Sequence, residues 1–405
     1  MFRTYIAPTA RSLLRHVTHF PAPPATSINL FALSAHSDDL QDAVAYLTSL
    51  PNAIGGLTAS PYKGVQLSIA SYPAISCLPF RSTVPGISQA NVGRVRTYRP
   101  PTREDRASET RLDRALAEET VNWDSALSEG ESHELPSGLR HVRNKSSISS
   151  FLYLSDRSPE GLLNSLRKHF PAASQVGRVC WSIEEVANSR PFTLFKGSKI
   201  FSDGAVGLAV FNQGPEQASI HFANIRAISE PMEVTQAQTN LIESLDNGNP
   251  VQSLILAMRA NGSISKDQDI YLAVLDESSL DSQTNKVPTH GYSQVYKITA
   301  GGSSRGSISL DAAEGPRPGA KVQFAITASQ NFSPTSVPVN QTTPTWTLNT
   351  ISDSDIQAIS TASDVREIEN VFLGTSENGF VWGPSLERPW ICMVSGATAS
   401  LRWAL

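Results

Sequence analysis

At 405 residues the chain exceeds one typical domain, and its 40% hydrophobic and 17% charged content suits two folded cores. A formal net charge of −4 with a pI near 6.1 leaves no electrostatic footprint for nucleic acid, and no run of about 18 apolar residues offers a membrane span. Three cysteines, Cys77, Cys180 and Cys392, are odd in number and far apart, which argues for reduced thiols in an intracellular compartment, not for a disulfide framework or a zinc site.

The first residues have the composition of an address. Met1 to Ser37 carry no acidic side chain, Arg3, Arg11 and Arg15 fall early, and Leu13, Leu14, Val17 and Phe20 form one apolar face if Thr9 to Phe20 is helical. Pro21, Pro23 and Pro24 end such a helix. Residues 1–26 are therefore expected to be a mitochondrial transit peptide or a disordered tail, the alternative being the first helix of the domain.

Folded structure is expected from Ser27. Ile28 to Leu33 reads as a strand, Ser34-Ala-His36-Ser37 as a loop, and Leu40, Val44 and Leu47 as the apolar face of a helix. Ser37 is a suitable N-cap, with Asp38 and Asp39 favourable in the first turn. Pro51 closes the unit and Ile54-Gly55-Gly56 opens the next strand. Residues 94–145 are rich in Arg and Glu and poor in apolar side chains, which predicts a charged, partly helical and partly disordered insertion. It is either a solvated linker or a segment that binds a protein partner.

The opening unit recurs downstream. Leu33, Ser34 and Ser37 map to Leu154, Ser155 and Ser158 at an offset of 121, and Leu40 and Val44 map to Leu162 and Leu166 one residue further on. Two such β-loop-α-β units side by side would bring both Ser-x-x-Ser loops to one sheet edge, where helix N-termini often hold small ligands or anions. Ser34, His36, Ser37, Ser155 and Ser158 are candidate ligand contacts on this ground, with helix capping as the alternative role for the serines. Gly177 lies at the corresponding edge of the second unit.

Arg190 to Phe211 holds three apolar runs separated by Lys196-Gly-Ser198 and Asp203-Gly204, the pattern of a β-meander. Gly204 and Gly207 suggest close approach of another backbone or a ligand. Beyond it, Ile225 to Asp246 is expected as an edge strand followed by a helix over Thr235 to Leu245. Asn247-Gly-Asn-Pro250 marks a boundary, and Val251 to Met258 a short helix. Strands are expected at 270–275, 294–299, 306–310, 321–326, 370–374 and 389–394, and a helix at 353–363. The fold class is thus strand-rich mixed α/β, with two sheet-based halves at 27–246 and 247–405.

Motifs for catalysis are few. Gly302-Ser-Ser304-Arg305-Gly306 satisfies the G-x-S-x-G pattern, but Gly306 runs directly into a strand, whereas a nucleophile elbow needs a following helix. A hairpin loop fits better, or a backbone nest for a carboxylate or phosphate beside Arg305. No metal-binding His pair, Walker loop, dinucleotide fingerprint or EF-hand is found, so neither a metal nor a cofactor is expected. A hydrolase using Ser304 remains the alternative reading.

Together, Asn29-Leu-Phe-Ala-Leu-Ser-Ala-His-Ser-Asp-Asp-Leu40, Pro79-Phe-Arg-Ser-Thr-Val-Pro-Gly86, the 190–208 stretch, Asn247-Gly-Asn-Pro250, Ile298 to Ile308 and Pro318-Gly-Ala-Lys-Val-Gln-Phe324 resemble fungal FIST-domain proteins. The resemblance runs from about Ser27 to the C-terminus and leaves out 94–145. It implies a sensory, ligand-binding module for small polar metabolites such as amino acids, and it implies no defined catalytic residues. Where the family continues after Gly177 with small and hydroxyl residues, this chain has Arg178 to Ser189, including Trp181, Glu184 and Glu185.

Overall fold

A computed structural model describes residues 1–18, 24–34, 40–84, 135–180, 193–262, 268–276, 291–301, 306–328, 340–356, 358–360, 364–384 and 388–403. The first unit comprises β1 (Phe2–Ala7), α1 (Ala10–Val17), β2 (Ser27–Ser34), α2 (Leu40–Ser49), β3 (Ala53–Thr58) and β4 (Val65–Pro73). A second contains β5 (Cys77–Ser82), β6 (Ile148–Ser155), α3 (Glu160–His169), β7 (Ser174–Val179), β8 (Leu194–Lys196), β9 (Lys199–Phe201) and β10 (Ala205–Phe211).

The two units are copies of one design. Strand order runs β1-β4-β2-β3 in the first sheet and β5-β10-β6-β7 in the second, with β2/β3 and β6/β7 the parallel pair in each. In the first copy α1 joins β1 to β2. The equivalent connection in the second, from β5 to β6, holds the charged insertion, whose greater part lies outside the described residues. Alternation along the strands then builds layers. Leu30 and Ala32 of β2 share one apolar cluster with Leu152 and Leu154 of β6, whereas Phe31 and Leu33 pack with α1 and α2, and Phe151 and Tyr153 with α3. Helix, sheet, sheet and helix follow one another.

Close approach fixes a glycine in each copy. Phe31 lies opposite Gly55, and Tyr153 opposite Gly177, across the parallel pairs. A Cβ on Gly55 would come within 2.5 Å of the Phe31 ring, and one on Gly177 within 2.3 Å of the Tyr153 ring. Gly177→Ala is accordingly expected to cost about 1–3 kcal/mol in urea unfolding, through overpacking. Gly214→Ala, whose new methyl would meet Ser149 at 3.8 Å, is the control that should stay near wild type.

The C-terminal part contains β11 (Gln217–Phe222), β12 (Ile225–Ala227), β13 (Met232–Gln238), β14 (Leu241–Leu245), α4 (Pro250–Ala260), β15 (Ile270–Leu275), β16 (Tyr292–Gly301), β17 (Ile308–Leu310) and β18 (Lys321–Thr327). After these come β19 (Thr345–Thr350), β20 (Arg366–Glu369), β21 (Val371–Ser376), β22 (Phe380–Gly383), β23 (Trp390–Cys392) and β24 (Ala397–Arg402). Strands β18-β13-β14-β17-β16-β15 close into a ring through the β15–β18 pairing, so this barrel leaves those edges paired. A four-stranded sheet, β11-β24-β19-β21, lies beside it. β20 joins β1, and β22 and β23 extend the second sheet from β7, so the C-terminal chain completes both N-terminal sheets.

Several expectations change. Residues 1–26, expected as a transit peptide or tail, instead supply β1, held between β4 and β20, and α1, capped by Thr9. The early Arg3 pairs with Glu367 at 2.8 Å. The meander divides: β8 and β9 form a hairpin on β3, while β10 crosses to the second sheet between β6 and β5. Gly204, at φ +68, makes that crossing where a Cβ would strike Ser82 O at 2.2 Å. The helix expected over Thr235 to Leu245 is the β13–β14 hairpin, turning at Thr239 with φ 50. Pairing in the barrel buries Val234, Ile242 and Leu245 together, which outweighs local helix propensity. At 353–363 the described residues show only a 3₁₀ turn, Asp353–Asp355, and an isolated bridge from Ile359 to Tyr62.

Candidate functional site

The second serine loop borders a cleft, but its first serine faces inward. Ser155 is buried, and its hydroxyl donates to Arg178 O at 3.4 Å. Asp156, also buried, organises the loop: Oδ1 accepts Ser158 N–H at 3.0 Å and Oδ2 accepts Gly204 N–H at 2.6 Å. Helix α3 has Pro159, not Ser158, as its cap residue. In the first copy Ser34 Oγ accepts Gln66 N–H at 2.8 Å. Ser34, Ser155, Gly177 and Gly204 thus hold the scaffold, and His36, Ser37, Ser304 and Arg305 lie outside the described residues, as do Trp181, Glu184 and Glu185.

Next to that loop, a cleft of about 360 Å³ opens between α3 and the barrel. One wall is Arg157, Leu163 and Arg167, from the loop and helix of the second unit. Opposite stand Val274 of β15, Tyr296 of β16 and the β17–β18 connection with Ala312 and Glu314. Arg388 and Trp390, at the start of β23, close one side. No single stretch of sequence contains the cleft, because it is made where the second unit meets the barrel.

Its polar groups are held in place. Arg157 Nε donates to Asn378 Oδ1 at 2.9 Å, and Asn378 Nδ2 donates to Cys180 O at 3.2 Å. Tyr296 OH donates to Gln294 Oε1 at 2.6 Å, and its ring lies 5.5 Å from that of Trp390. Arg388 forms an ion pair with Glu314. Burial, then the positive charge of Arg167, holds the Arg388 guanidinium below its usual range. Trp390 is only 8% exposed, and its indole N–H has no acceptor among the described residues. An apolar, aromatic floor under an arginine-bearing rim is what a site for a small amphipathic molecule requires.

A buried cation, Arg178, precedes the cleft-lining Val179 in β7. Arg178 is 1% exposed and donates to Ala59 O at 3.2 Å, tying the end of β7 to the chain after β3. Burial lowers its guanidinium to about 10. Among the described residues no group of three or more His, Cys, Asp or Glu side chains could hold a metal ion, and no helix is long and apolar enough to cross a membrane.

Arg157, Arg167, Arg388 and Trp390 were not legible as a site in the sequence. Arg167, Lys168 and His169 end α3, where cations complement the helix dipole and need no further role. Comparison with curated proteins returned no match. The sequence model of the FIST N domain matches residues 28–248, more than half of the chain, a range that includes both serine loops and the α3 wall of the cleft. The chain belongs to the FIST family, whose domains are sensory, ligand-binding signalling modules.

Proposed function

We propose that this protein senses a small polar metabolite, the amino acids being the first class to test, and that the ligand occupies the cleft between α3 and the barrel. The observation that carries the reading is the position of the cleft. It lies at the contact of the second repeat with the C-terminal strands, so occupancy would tighten two parts of the chain against each other. Residues 247–405 serve in this reading as the C-terminal FIST half, of the fungal type, and supply the second wall.

Thermal-shift screening against amino acids and small carboxylates tests it. A ligand at about 100 times its Kd should stabilise the fold by about 2.7 kcal/mol. Ala312→Trp, which fills the cleft from the β17–β18 connection, should leave the protein folded and remove the shift. Absence of stabilisation by every compound, or an unchanged shift in Ala312→Trp, would count against the cleft as the sensing site.

A further inference from the structure

We infer that the cleft selects a ligand of net negative charge, a carboxylate on an aromatic or branched apolar body, over a zwitterion or a neutral molecule. The inference rests on the cleft being the sensing site and narrows what it takes. Four guanidiniums, those of Arg157, Arg167, Arg317 and Arg388, face three carboxylates among the lining residues. Glu314 is committed to Arg388, and neither Arg167 nor Arg317 has an ion-pair partner among the described residues.

Placement favours Arg167 and Arg388 as the anchor. Arg317 is exposed, so its charge is well screened, whereas Arg167 is half-buried and Arg388 has a side-chain exposure of 27%. Arg167 reaches the cleft from the last turn of α3 and Arg388 from the chain before β23, so two like charges converge from different elements. Glu314 compensates Arg388 but not Arg167, and a carboxylate placed between the two guanidiniums can accept from both forks. The electrostatic effect of Arg167 on Arg388 is consistent with this proximity.

The remaining surface suits the body of such an acid. Leu163, Val274 and Trp390 supply apolar wall, and the unpartnered Trp390 N–H offers a donor to an acceptor on the ligand. Glu314 occupies a position a ligand carboxylate would contest. It is 45% exposed at its side chain and sits on the β17–β18 connection, so it can leave Arg388 without disturbing the core.

The test uses three probes with one skeleton: 3-phenylpropanoate, L-phenylalanine and 3-phenylpropanamide, titrated calorimetrically into the full chain. The acid should bind roughly tenfold or more tightly than the other two, because the amide lacks the charge-assisted hydrogen bonds and the ammonium of phenylalanine is repelled by the arginines of the rim. Glu314→Gln should tighten binding of the acid by releasing Arg388, and Arg388→Met and Arg167→Met should each reduce the acid to the level of the amide. Because Glu314→Gln changes an exposed loop residue, its result stands even if an arginine variant folds poorly. Equal or tighter binding of phenylalanine or the amide, abolished by Ala312→Trp, would overturn the inference and leave the cleft as the sensing site. Acid binding indifferent to Glu314→Gln and to both arginine changes would overturn it as well. Failure of all three probes to bind the wild-type chain would count against both readings.

Discussion

Deleting Met1–Val17 is expected to abolish cooperative unfolding, leaving a chain without a native baseline in urea. Phe2, Tyr5, Ile6, Leu13 and Val17 are all buried, and full burial of such side chains is worth about 1.5–3 kcal/mol each. Their sum is comparable to the whole net stability of a domain, about 5–15 kcal/mol. The backbone argument points the same way. β1 is bonded on both sides, to β4 and to β20, so its removal would open an edge on β4 and take from β20 the strand that joins it to the sheet. Thr4 adds a buried link to the C-terminal chain, donating to Val371 O at 2.8 Å and accepting from Leu373 N–H at 3.1 Å. A truncated chain with an unchanged urea midpoint would show that the segment is dispensable, as an address would be.

Stability should fall steeply in alkali, and the buried thiols should account for much of the slope. Burial pushes Cys180 and Cys392 up to about 12, and Cys77 likewise. A thiol in the unfolded chain gives up its proton near pH 9 while the folded thiol keeps it, so the native state holds more protons in between. The stabilisation is complete below that lower value and is lost as pH rises toward the folded value. Each thiol contributes about 1.4 kcal/mol of loss per pH unit across that window. Buried Tyr62 and Tyr271, also raised to about 12, add to the fall. Arg178 acts in the opposite direction, because its lowered guanidinium releases a proton from the folded state first. One group against several leaves the net sign negative. Urea midpoints measured in reductant between about pH 8 and pH 10.5 should show the fall, and the Cys180→Ala, Cys392→Ala double variant should flatten it. A midpoint insensitive to pH over that range would refute the assignment.

The division of labour between the repeats has a physical basis. Both copies build the same parallel pair with an aromatic ring over a glycine, and both use the first serine for internal bonding. In the second copy the loop after β6 carries Arg157, and the C-terminal strands β22 and β23 extend that sheet beside α3. The corresponding flank of the first sheet is taken by the β8–β9 hairpin. The elements added to each sheet differ, and at the second copy they leave a cleft open against the barrel.

Residues within one unit decided what could be seen without tertiary contacts. Apolar periodicity placed the strands at Ile28 and Phe151, the helices bearing Leu40 and Leu162, and the recurrence of the whole unit, since each depends on side chains a few positions apart. The resemblance carried by the 29–40 and 190–208 stretches led to the family for the same reason. Only the tertiary structure decided that Phe2–Ala7 is an internal strand, that Thr235 to Leu245 is a hairpin, and that Lys199–Phe201 and Ala205–Phe211 belong to different sheets. Those outcomes depend on partners far away in sequence, such as Glu369 opposite Arg3 and Ser155 opposite Ala205. The cleft is the extreme case. Arg167, Tyr296 and Arg388 are remote from one another along the chain, each is ordinary in its own surroundings, and only packing of the second repeat against the barrel gives them a common surface.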